Sequence, residues 1–369
     1  MSDTLNRTEL FTGTMPVAER QRFDVAALEA YLRTRIDGFS GPLTVEQFKG
    51  GQSNPTFKLI TPGKTYVLRS KPGPAAKLLP SAHAIDREFR VMSGLAGSDV
   101  PVAKMHTLCE DESVIGRAFY VMDFVEGRVL WDPQLPGMTP EQRAAIFDEM
   151  NRVMAALHKV DFSGAGLSEY GKHEGYLARQ IARWSKQYRA SETESIPAMD
   201  ALIEWLPAHI PAGEATSIVH GDYRLDNVIF HANEPRILAV LDWELSTLGH
   251  PLADFAYHCM AWYLPRGAGR GLGGVDLAGS GIPKVQDYIA RYCERTGRPE
   301  YYDARSGARG IPNFEFYMAY NMFRMAGILQ GIMKRVVDGT AASAQAVAMG
   351  KSTRPIAEQG WAVAKQIPH

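Results

Sequence analysis

One stretch, Val219 to Glu244, limits what this chain can fold into more than any other. It reads VHGDYRLDNVIF, then a short polar gap, then ILAVLDWE. Two apolar runs of strand character, 228–230 and 237–241, alternate here with polar segments. Strands hold the polar side chains at their ends rigidly, and functional sites tend to lie there. The polar positions are His220, Asp222, Arg224, Asp226, Asn227, Asp242 and Glu244.

The spacing of these polar residues is typical of a site for phosphoryl transfer. In kinase catalytic loops an Asp accepts the proton of the substrate hydroxyl, and an Asn later in the loop holds a metal ion. A second Asp, on a later strand, holds the ions that bridge the phosphates. The sequence therefore predicts Asp222 and Arg224 as catalytic residues, and Asn227 and Asp242 as oxygen ligands for Mg²⁺. The alternative interpretation is two polar turns with Asx caps.

Length and composition agree with a globular enzyme. The chain has 369 residues, a net charge of −1 and 45% hydrophobic residues. The near-neutral charge argues against nucleic acid as the main partner. No apolar run approaches the ~18 residues that span a bilayer, so we expect no membrane association. The three cysteines, Cys109, Cys259 and Cys293, are far apart, so we expect no disulfide framework or zinc site. With no signal-peptide pattern at the N-terminus, these features predict a cytoplasmic protein.

Strand-like segments dominate the first third of the chain. They are residues 43–49, 56–61, 65–69, 104–109 and 118–124, with one helical segment over residues 81–96. A glycine-bearing linker follows at Glu126 and Gly127. We therefore predict an N-terminal arm and nucleotide-binding domain over residues 1–125, and a mostly helical domain over residues 126–369.

The first domain contains several candidates for binding a nucleotide. A glycine-rich tip at 50–54 lets backbone N–H groups approach phosphates, and the strand after it carries Arg69 and Lys71 on one face. Kinases place a cation there and pair it with a helix glutamate, here Glu88; we favour Arg69 over Lys71. The alternatives are an exposed edge-strand cation and a solvated glutamate. The predicted set is Gly51, Ser53, Asn54, Arg69, Lys71, Glu88 and, in the hinge-like linker, Met122, Asp123 and Phe124.

The second domain contains a helical segment, 173–190, with two distinct faces. Basic residues recur on one face and apolar residues, including Trp184, on the other. A packed helix with a solvated side is the usual interpretation, and an anion-binding wall of the acceptor site is the alternative. The predicted acceptor contacts are Arg179, Arg183, Trp184 and Glu244. A helix is expected directly after Glu244, without the longer activation segment and A-P-E of a protein kinase, which favours a small-molecule acceptor.

The motifs H-G-D-x-x-x-x-N and D-W-E resemble those of the aminoglycoside phosphotransferase and choline kinase superfamily, over about residues 40 to 340. The resemblance implies an α+β, bilobal, protein-kinase-like fold. Its small N-lobe would contain an antiparallel sheet with one helix, and its larger C-lobe would be mostly helical, with ATP and Mg²⁺ as cofactors. Asp254 resembles the family's structural Asp that braces the catalytic loop.

Three longer phrases resemble one subgroup of that superfamily, the kinase domains associated with acyl-CoA dehydrogenase-like enzymes. They are YLARQIARWSKQY, LDWELSTLGHPLADFAY and FRMAGILQGIMKR. The subgroup implies phosphorylation of a hydroxyacyl-CoA at a 4-hydroxyl, with a dehydrogenase-like partner enzyme. An aminoglycoside, choline or homoserine kinase is an alternative, although a polycationic acceptor calls for an acidic pocket. A nucleotide-binding pseudokinase scaffold is the alternative of another class, and the intact Asp222, Asn227 and Asp242 argue against it.

Overall fold

The computed structural model describes residues 12–49, 54–72, 84–213, 215–265, 271–298, 301–302, 309–340 and 346–367. The chain divides into two compact units. The first unit is Met1–Leu135, Val160–Tyr170 and Arg224–Ser246, and the second is Pro136–Lys159, Gly171–Tyr223 and Thr247–His369. The chain therefore passes from one unit to the other inside the motif that was predicted to be catalytic. The predicted domain boundary after residue 125 stays a prediction.

A six-stranded antiparallel sheet forms the framework of the first unit. Its strands are β1 (Thr14–Met15), β2 (Thr44–Phe48), β3 (Thr56–Ile60), β4 (Thr65–Ser70), β5 (Met105–Cys109) and β6 (Phe119–Asp123), and their order is β1-β2-β3-β4-β6-β5. Two helices of this unit are α1 (Val25–Arg35) and α2 (Ile85–Leu95). The five strands predicted from the alternating pattern are confirmed within a residue or two at their ends.

The alternation of β4 decides which of its side chains can form a site. Tyr66 and Leu68 lie in a buried cluster with Leu28 and Leu32 of α1. Since successive strand residues point to opposite faces, Arg69 points to the other side of the sheet. Helix α1 thus covers one face of the sheet and leaves the Arg69 side for other elements.

A short antiparallel hairpin completes the described strands of the first unit. It consists of β8 (Val228–Phe230) and β9 (Ile237–Val240), with Val228 opposite Val240. Just beyond this pair, the N–H of Leu241 donates to the carbonyl of Asn227 at 2.8 Å. The hairpin therefore brings Asn227 and the start of the D-W-E motif to the same end.

Helices make up most of the second unit. They are α3 (Pro140–Lys159), α4 (Tyr176–Ser191), α5 (Pro197–Ala208), α6 (Pro251–Cys259), α7 (Val285–Thr296), α8 (Phe314–Val337), α9 (Ala346–Lys351) and α10 (Thr353–Ala364). Two short antiparallel pairs accompany them, β7 (Ser217–Val219) with β10 (Thr247–Gly249) and β11 (Tyr301–Tyr302) with β12 (Arg309–Gly310). The apolar face predicted for α4 is confirmed, since Leu177, Ile181, Trp184 and Tyr188 are all buried.

The expectation of a helix directly after Glu244 is wrong. The chain first makes a 3-10 turn over Trp243–Leu245 and then adds β10 beside β7. Helix α6 begins only at Pro251. Proline lacks a backbone N–H, which is tolerated in the first turn of a helix. The added strand returns the chain to β7, the strand that leads into the predicted catalytic loop.

The described part of the chain bears on two expected absences, that of a membrane-spanning helix and that of a disulfide. The helices found there are too short or too polar to cross a membrane. Cys109, Cys259 and Cys293 are all buried, and no disulfide joins them. The predicted compartment stays a prediction.

Candidate functional site

In the first unit, Arg69 lies at the centre of a cluster of carboxylates. Its Nε is 2.9 Å from Oε2 of Glu88 on α2. Its Nη2 is 3.2 Å from Oδ1 of Asp242 and 3.5 Å from Oε2 of Glu244. The Arg69 side chain is only 12% exposed and that of Glu88 only 2%, so water screens this pair little. Three acids and one cation leave the cluster with an excess of negative charge, which suits a site for further cations.

Glu88 is fixed by more than its ion pair. One carboxylate oxygen accepts a hydrogen bond from Asn54 Nδ2 and the other accepts one from the Tyr120 hydroxyl, both at 2.9 Å. Burial raises the pKa of Glu88 above its ordinary value, although the Arg69 charge and the two hydrogen bonds act in the opposite direction. A carboxyl group at this depth needs all three partners to remain ionised, so it holds Arg69 in one orientation.

Asn227 and Asp242 lie at adjoining ends of the β8–β9 hairpin. Asn227 is buried at the end of a 3-10 turn, and Asp242 lies two residues beyond the end of β9. Asp242 adopts a left-handed backbone conformation, with φ of 62°; such conformations are uncommon outside glycine and tend to occur at functional sites. An amide oxygen and a partly exposed carboxylate are hard oxygen donors that fit Mg²⁺.

Of the other residues predicted to bind a nucleotide, two lie outside the described part of the chain and the rest lie within it. Gly51 and Ser53 lie outside the described residues, so their predicted contacts are untested. Lys71 is half-buried, and no ion pair is found for it in the described part of the chain. Met122 lies within β6, opposite Val67.

The predicted hinge residues have backbone partners of their own. The N–H of Asp123 donates to the carbonyl of Lys104, and the N–H of Phe124 donates to that of Thr65. The carboxylate of Asp123 contacts Lys64 Nζ at 2.6 Å. The backbone N–H groups of Asp123 and Phe124 are therefore already engaged within the first unit.

In the second unit, Asp254 of α6 holds the predicted catalytic loop. Its carboxylate accepts hydrogen bonds from the backbone N–H groups of His220 at 2.7 Å and Gly221 at 2.8 Å. His158 Nε2 lies 3.2 Å from the same carboxylate. Burial acts to raise the pKa of Asp254, but these hydrogen bonds and the two histidines hold it below its ordinary value. Asp254 is therefore an ionised structural residue, as the resemblance implied.

The Asp222 carboxylate accepts a hydrogen bond from the hydroxyl of Tyr257, also on α6, at 2.5 Å. The N–H of Asp222 donates to His220 Nδ1 at 3.2 Å. From α8, Arg324 Nη2 donates to the carbonyl of Gly221 at 2.8 Å. Side-chain and backbone contacts thus fix both the loop and its carboxylate. Arg224, the other predicted catalytic residue, lies in the first unit, with its Nε 3.5 Å from Asp226.

The predicted acceptor residues show different surroundings. Arg183 and Arg324 both lie near the Trp184 ring, with guanidinium carbons 5.6 and 5.7 Å from its centroid. Arg179 is half-buried and donates to the carbonyl of Lys172. Glu244 contacts Arg69 within the first unit. The structure thus groups Trp184 with two arginines, only one of which was predicted.

Two buried histidines near the loop give a prediction about pH. Burial lowers the pKa of His250 and of His258 to about 4. Between pH 6.5 and 4 the unfolded chain would protonate these residues while the folded protein would not. The free energy of unfolding should therefore fall as the pH falls through this range, by up to about 3 kcal/mol for each histidine.

Urea unfolding at pH 7.5 and pH 5 would measure this loss. His258→Asn can still donate to the Tyr223 carbonyl, which His258 contacts at 3.2 Å, and should reduce the pH dependence. His231→Asn, on a turn of the other unit, is the control and should leave it unchanged. Equal pH dependence in wild type and His258→Asn would contradict the prediction.

Sequence reasoning did not assign Tyr257, Arg324 or Tyr120 to the site. Arg324 lies in an otherwise apolar part of α8 and is 7% exposed. A single arginine surrounded by apolar residues requires a polar partner, and this signal could have identified it. Tyr257 follows Asp254 by one helical turn, so it was a candidate for the same loop. Tyr120 carried no comparable signal in the sequence.

Comparisons with known proteins agree with these features. The profile of the phosphotransferase enzyme family matches residues 44–293. Acyl-CoA dehydrogenase family member 10 of Mus musculus is 47% identical over 351 residues, which cover 94% of this chain and 32% of that protein. The chain thus spans about a third of the length of this relative.

Two solved structures of phosphotransferases are also similar to this chain. A presumed aminoglycoside phosphotransferase from Ralstonia eutropha JMP134 is 62% identical, with a TM-score of 0.86, over 94% of this chain and all of that chain. A thermostable mutant of the aminoglycoside phosphotransferase APH(4)-Ia, in a ternary complex with AMP-PNP and hygromycin B, is 16% identical. Its TM-score of 0.57, over 91% of this chain and 98% of that chain, shows a likeness of fold alone. The predicted kinase-like fold class and the resemblance to the superfamily and its subgroup are confirmed.

Proposed function

Because the chain belongs to the phosphotransferase enzyme family, we propose that it transfers the γ-phosphoryl group of ATP to the hydroxyl group of a small molecule. The observation that carries this proposal is how residues 220–223 are held; they are the part of the predicted catalytic loop that lies in the second unit. Asp254 holds two successive backbone N–H groups of that loop, and the next residue is Asp222. This arrangement supports a fixed carboxylate, which is what a kinase needs in order to orient a hydroxyl group.

In this mechanism Asp222 orients the acceptor hydroxyl and takes its proton as the oxygen attacks the γ-phosphorus. The attack is in line, so the bond to the β,γ-bridging oxygen breaks as the new P–O bond forms. Catalysis then depends on positioning and on charge stabilisation, and no covalent enzyme intermediate is required.

The residues of the first unit would bind the nucleotide. Arg69, oriented by Glu88, would contact the phosphates as a planar donor, and the loop with Gly51, Ser53 and Asn54 would cover them. Asn227 and Asp242 would hold Mg²⁺, which neutralises phosphate charge when it is bound. The ternary complex of the related fold with an ATP analogue supports ATP as the phosphoryl donor.

For the acceptor we propose a hydroxyacyl-CoA, phosphorylated at a 4-hydroxyl. A relative at 47% identity is named as an acyl-CoA dehydrogenase family member, and this chain spans only a third of it. The name of that relative is the reason for choosing an acyl-CoA acceptor and a dehydrogenase-like partner enzyme. The exposed Arg183 beside Trp184 would suit an anionic group of such a substrate better than a polycationic antibiotic.

A screen of ATP consumption tests the proposal. Purified protein is incubated with ATP, Mg²⁺ and one acceptor at a time, chosen from 3-, 4- and 5-hydroxyacyl-CoAs, aminoglycosides, choline and homoserine. We expect ADP release with the 4-hydroxyacyl-CoA. Phosphorylation of an aminoglycoside instead would overturn the acyl-CoA assignment. Nucleotide binding with no turnover of any acceptor would favour the pseudokinase alternative.

A further inference from the structure

We propose that Tyr257 is a positioning residue of the transfer reaction, which acts by holding the Asp222 carboxylate in the orientation that accepts the proton. This inference rests on the proposed function. It stands on the 2.5 Å hydrogen bond that the Tyr257 hydroxyl donates to Oδ1 of Asp222.

One face of α6 contacts every residue of the predicted catalytic loop from position 220 to 223. Asp254 accepts hydrogen bonds from the first two N–H groups, and Tyr257 donates to the third residue. His258 Nδ1 lies 3.2 Å from the carbonyl of the fourth, Tyr223. Tyr257 and His258 follow Asp254 by three and four residues, so both are its neighbours on the surface of the helix. Tyr257 is thus the member of this face that contacts the reacting carboxylate itself.

The hydroxyl of Tyr257 has a specific effect on that carboxylate. A hydrogen bond from a neutral O–H to an ionised oxygen is short and stronger than one between neutral groups. It restrains the terminal torsion of Asp222, which otherwise has a broad and shallow preference. Proton transfer from an acceptor hydroxyl requires that orientation, because small misplacements of a base lower the rate strongly.

The tyrosine ring is itself fixed from α8. The guanidinium carbon of Arg324 lies 5.1 Å from the centroid of the Tyr257 ring, while Arg324 Nη2 donates to the Gly221 carbonyl. The side-chain amide of Asn321, one helical turn earlier, donates to the carbonyl of Ala253 on α6 at 2.8 Å. Two residues of α8 therefore hold both the ring and the helix that carries it, which leaves the hydroxyl little freedom.

Tyr257→Phe removes the hydroxyl and keeps the ring. With 4-hydroxyacyl-CoA as acceptor, we expect kcat to fall by about 10- to 100-fold, with the KM for ATP unchanged. Tyr188→Phe is the matched control, since the Tyr188 hydroxyl is buried without a hydrogen-bond partner among the described residues; it should keep wild-type kcat. An unchanged kcat in Tyr257→Phe, or a loss matched by the control, would overturn the proposal.

A double-mutant cycle separates positioning from a general structural role. On an Asp222→Asn background there is no carboxylate to orient, so Tyr257→Phe should lower the residual rate no further. Full additivity of the two losses would overturn the proposal.

A third measurement does not depend on turnover. In protein labelled with ¹³C at aspartate carboxyl groups, the Asp222 signal, assigned by its loss in Asp222→Asn, should move in Tyr257→Phe and stay in Tyr188→Phe. A signal that does not move would contradict the Tyr257 contact. A protein that shows this shift but no turnover with any acceptor would instead overturn the proposed function.

Discussion

Asp222→Asn is expected to lower phosphoryl transfer by about 10²- to 10⁴-fold, the usual contribution of a general base. The substitution keeps the size and shape of the side chain, and an amide oxygen can still accept the hydrogen bond from Tyr257. It removes the ability to take a proton. Since the proposed phosphate and metal contacts come from other residues, ATP affinity should stay at the wild-type value.

Single-turnover transfer and calorimetric titration with ATP would measure the two quantities separately. Asp276→Asn is the matched control, because this exposed aspartate accepts a hydrogen bond from the N–H of Ala278, which an asparagine also accepts. Wild-type turnover in Asp222→Asn would refute Asp222 as the base. A parallel loss of ATP affinity would show instead that Asp222 belongs to the nucleotide site.

The sequence predicted those parts of the fold that depend on local patterns. The alternation in β4 showed that Arg69 lies on the opposite face from the buried Tyr66, and the spacing of Asp222 and Asn227 indicated the order of a kinase loop. These relations hold within a few residues of chain, where periodicity fixes which side chains share a face. The predicted roles of these residues in catalysis remain to be measured.

The parts that could not be predicted depend on contacts between distant segments. Arg324 reaches the carbonyl of Gly221 across 103 residues of sequence, and no local pattern gives that distance. Strand β10 has only three residues and exists through its pairing with β7, so it carries no signal of its own. Tyr120 is one apolar-strand residue among several until the fold brings its hydroxyl to Glu88. Sequence therefore identified the charged residues of the site better than the neutral groups that hold them.

Arg69→Met is expected to destabilise the protein by about 3–5 kcal/mol, because it leaves buried Glu88 without its cation. Glu88 is 2% exposed, so water cannot replace the lost charge. The same variant should weaken ATP binding at least tenfold, since the proposed phosphate contact is removed. Urea unfolding gives the first quantity, and calorimetric titration with ATP gives the second.

The double variant Arg69→Met with Glu88→Gln separates these two effects. Glu88→Gln removes the uncompensated charge and leaves an amide oxygen that can accept from Asn54 or Tyr120, so part of the lost stability should return. ATP binding should stay weak, because no cation has been restored. Lys71→Met, two residues after Arg69 and just beyond the end of β4, is the control and should change neither quantity. Should Lys71→Met abolish ATP binding while Arg69→Met retains it, the nucleotide cation would be Lys71, and Arg69 would serve only to neutralise Glu88 and Asp242.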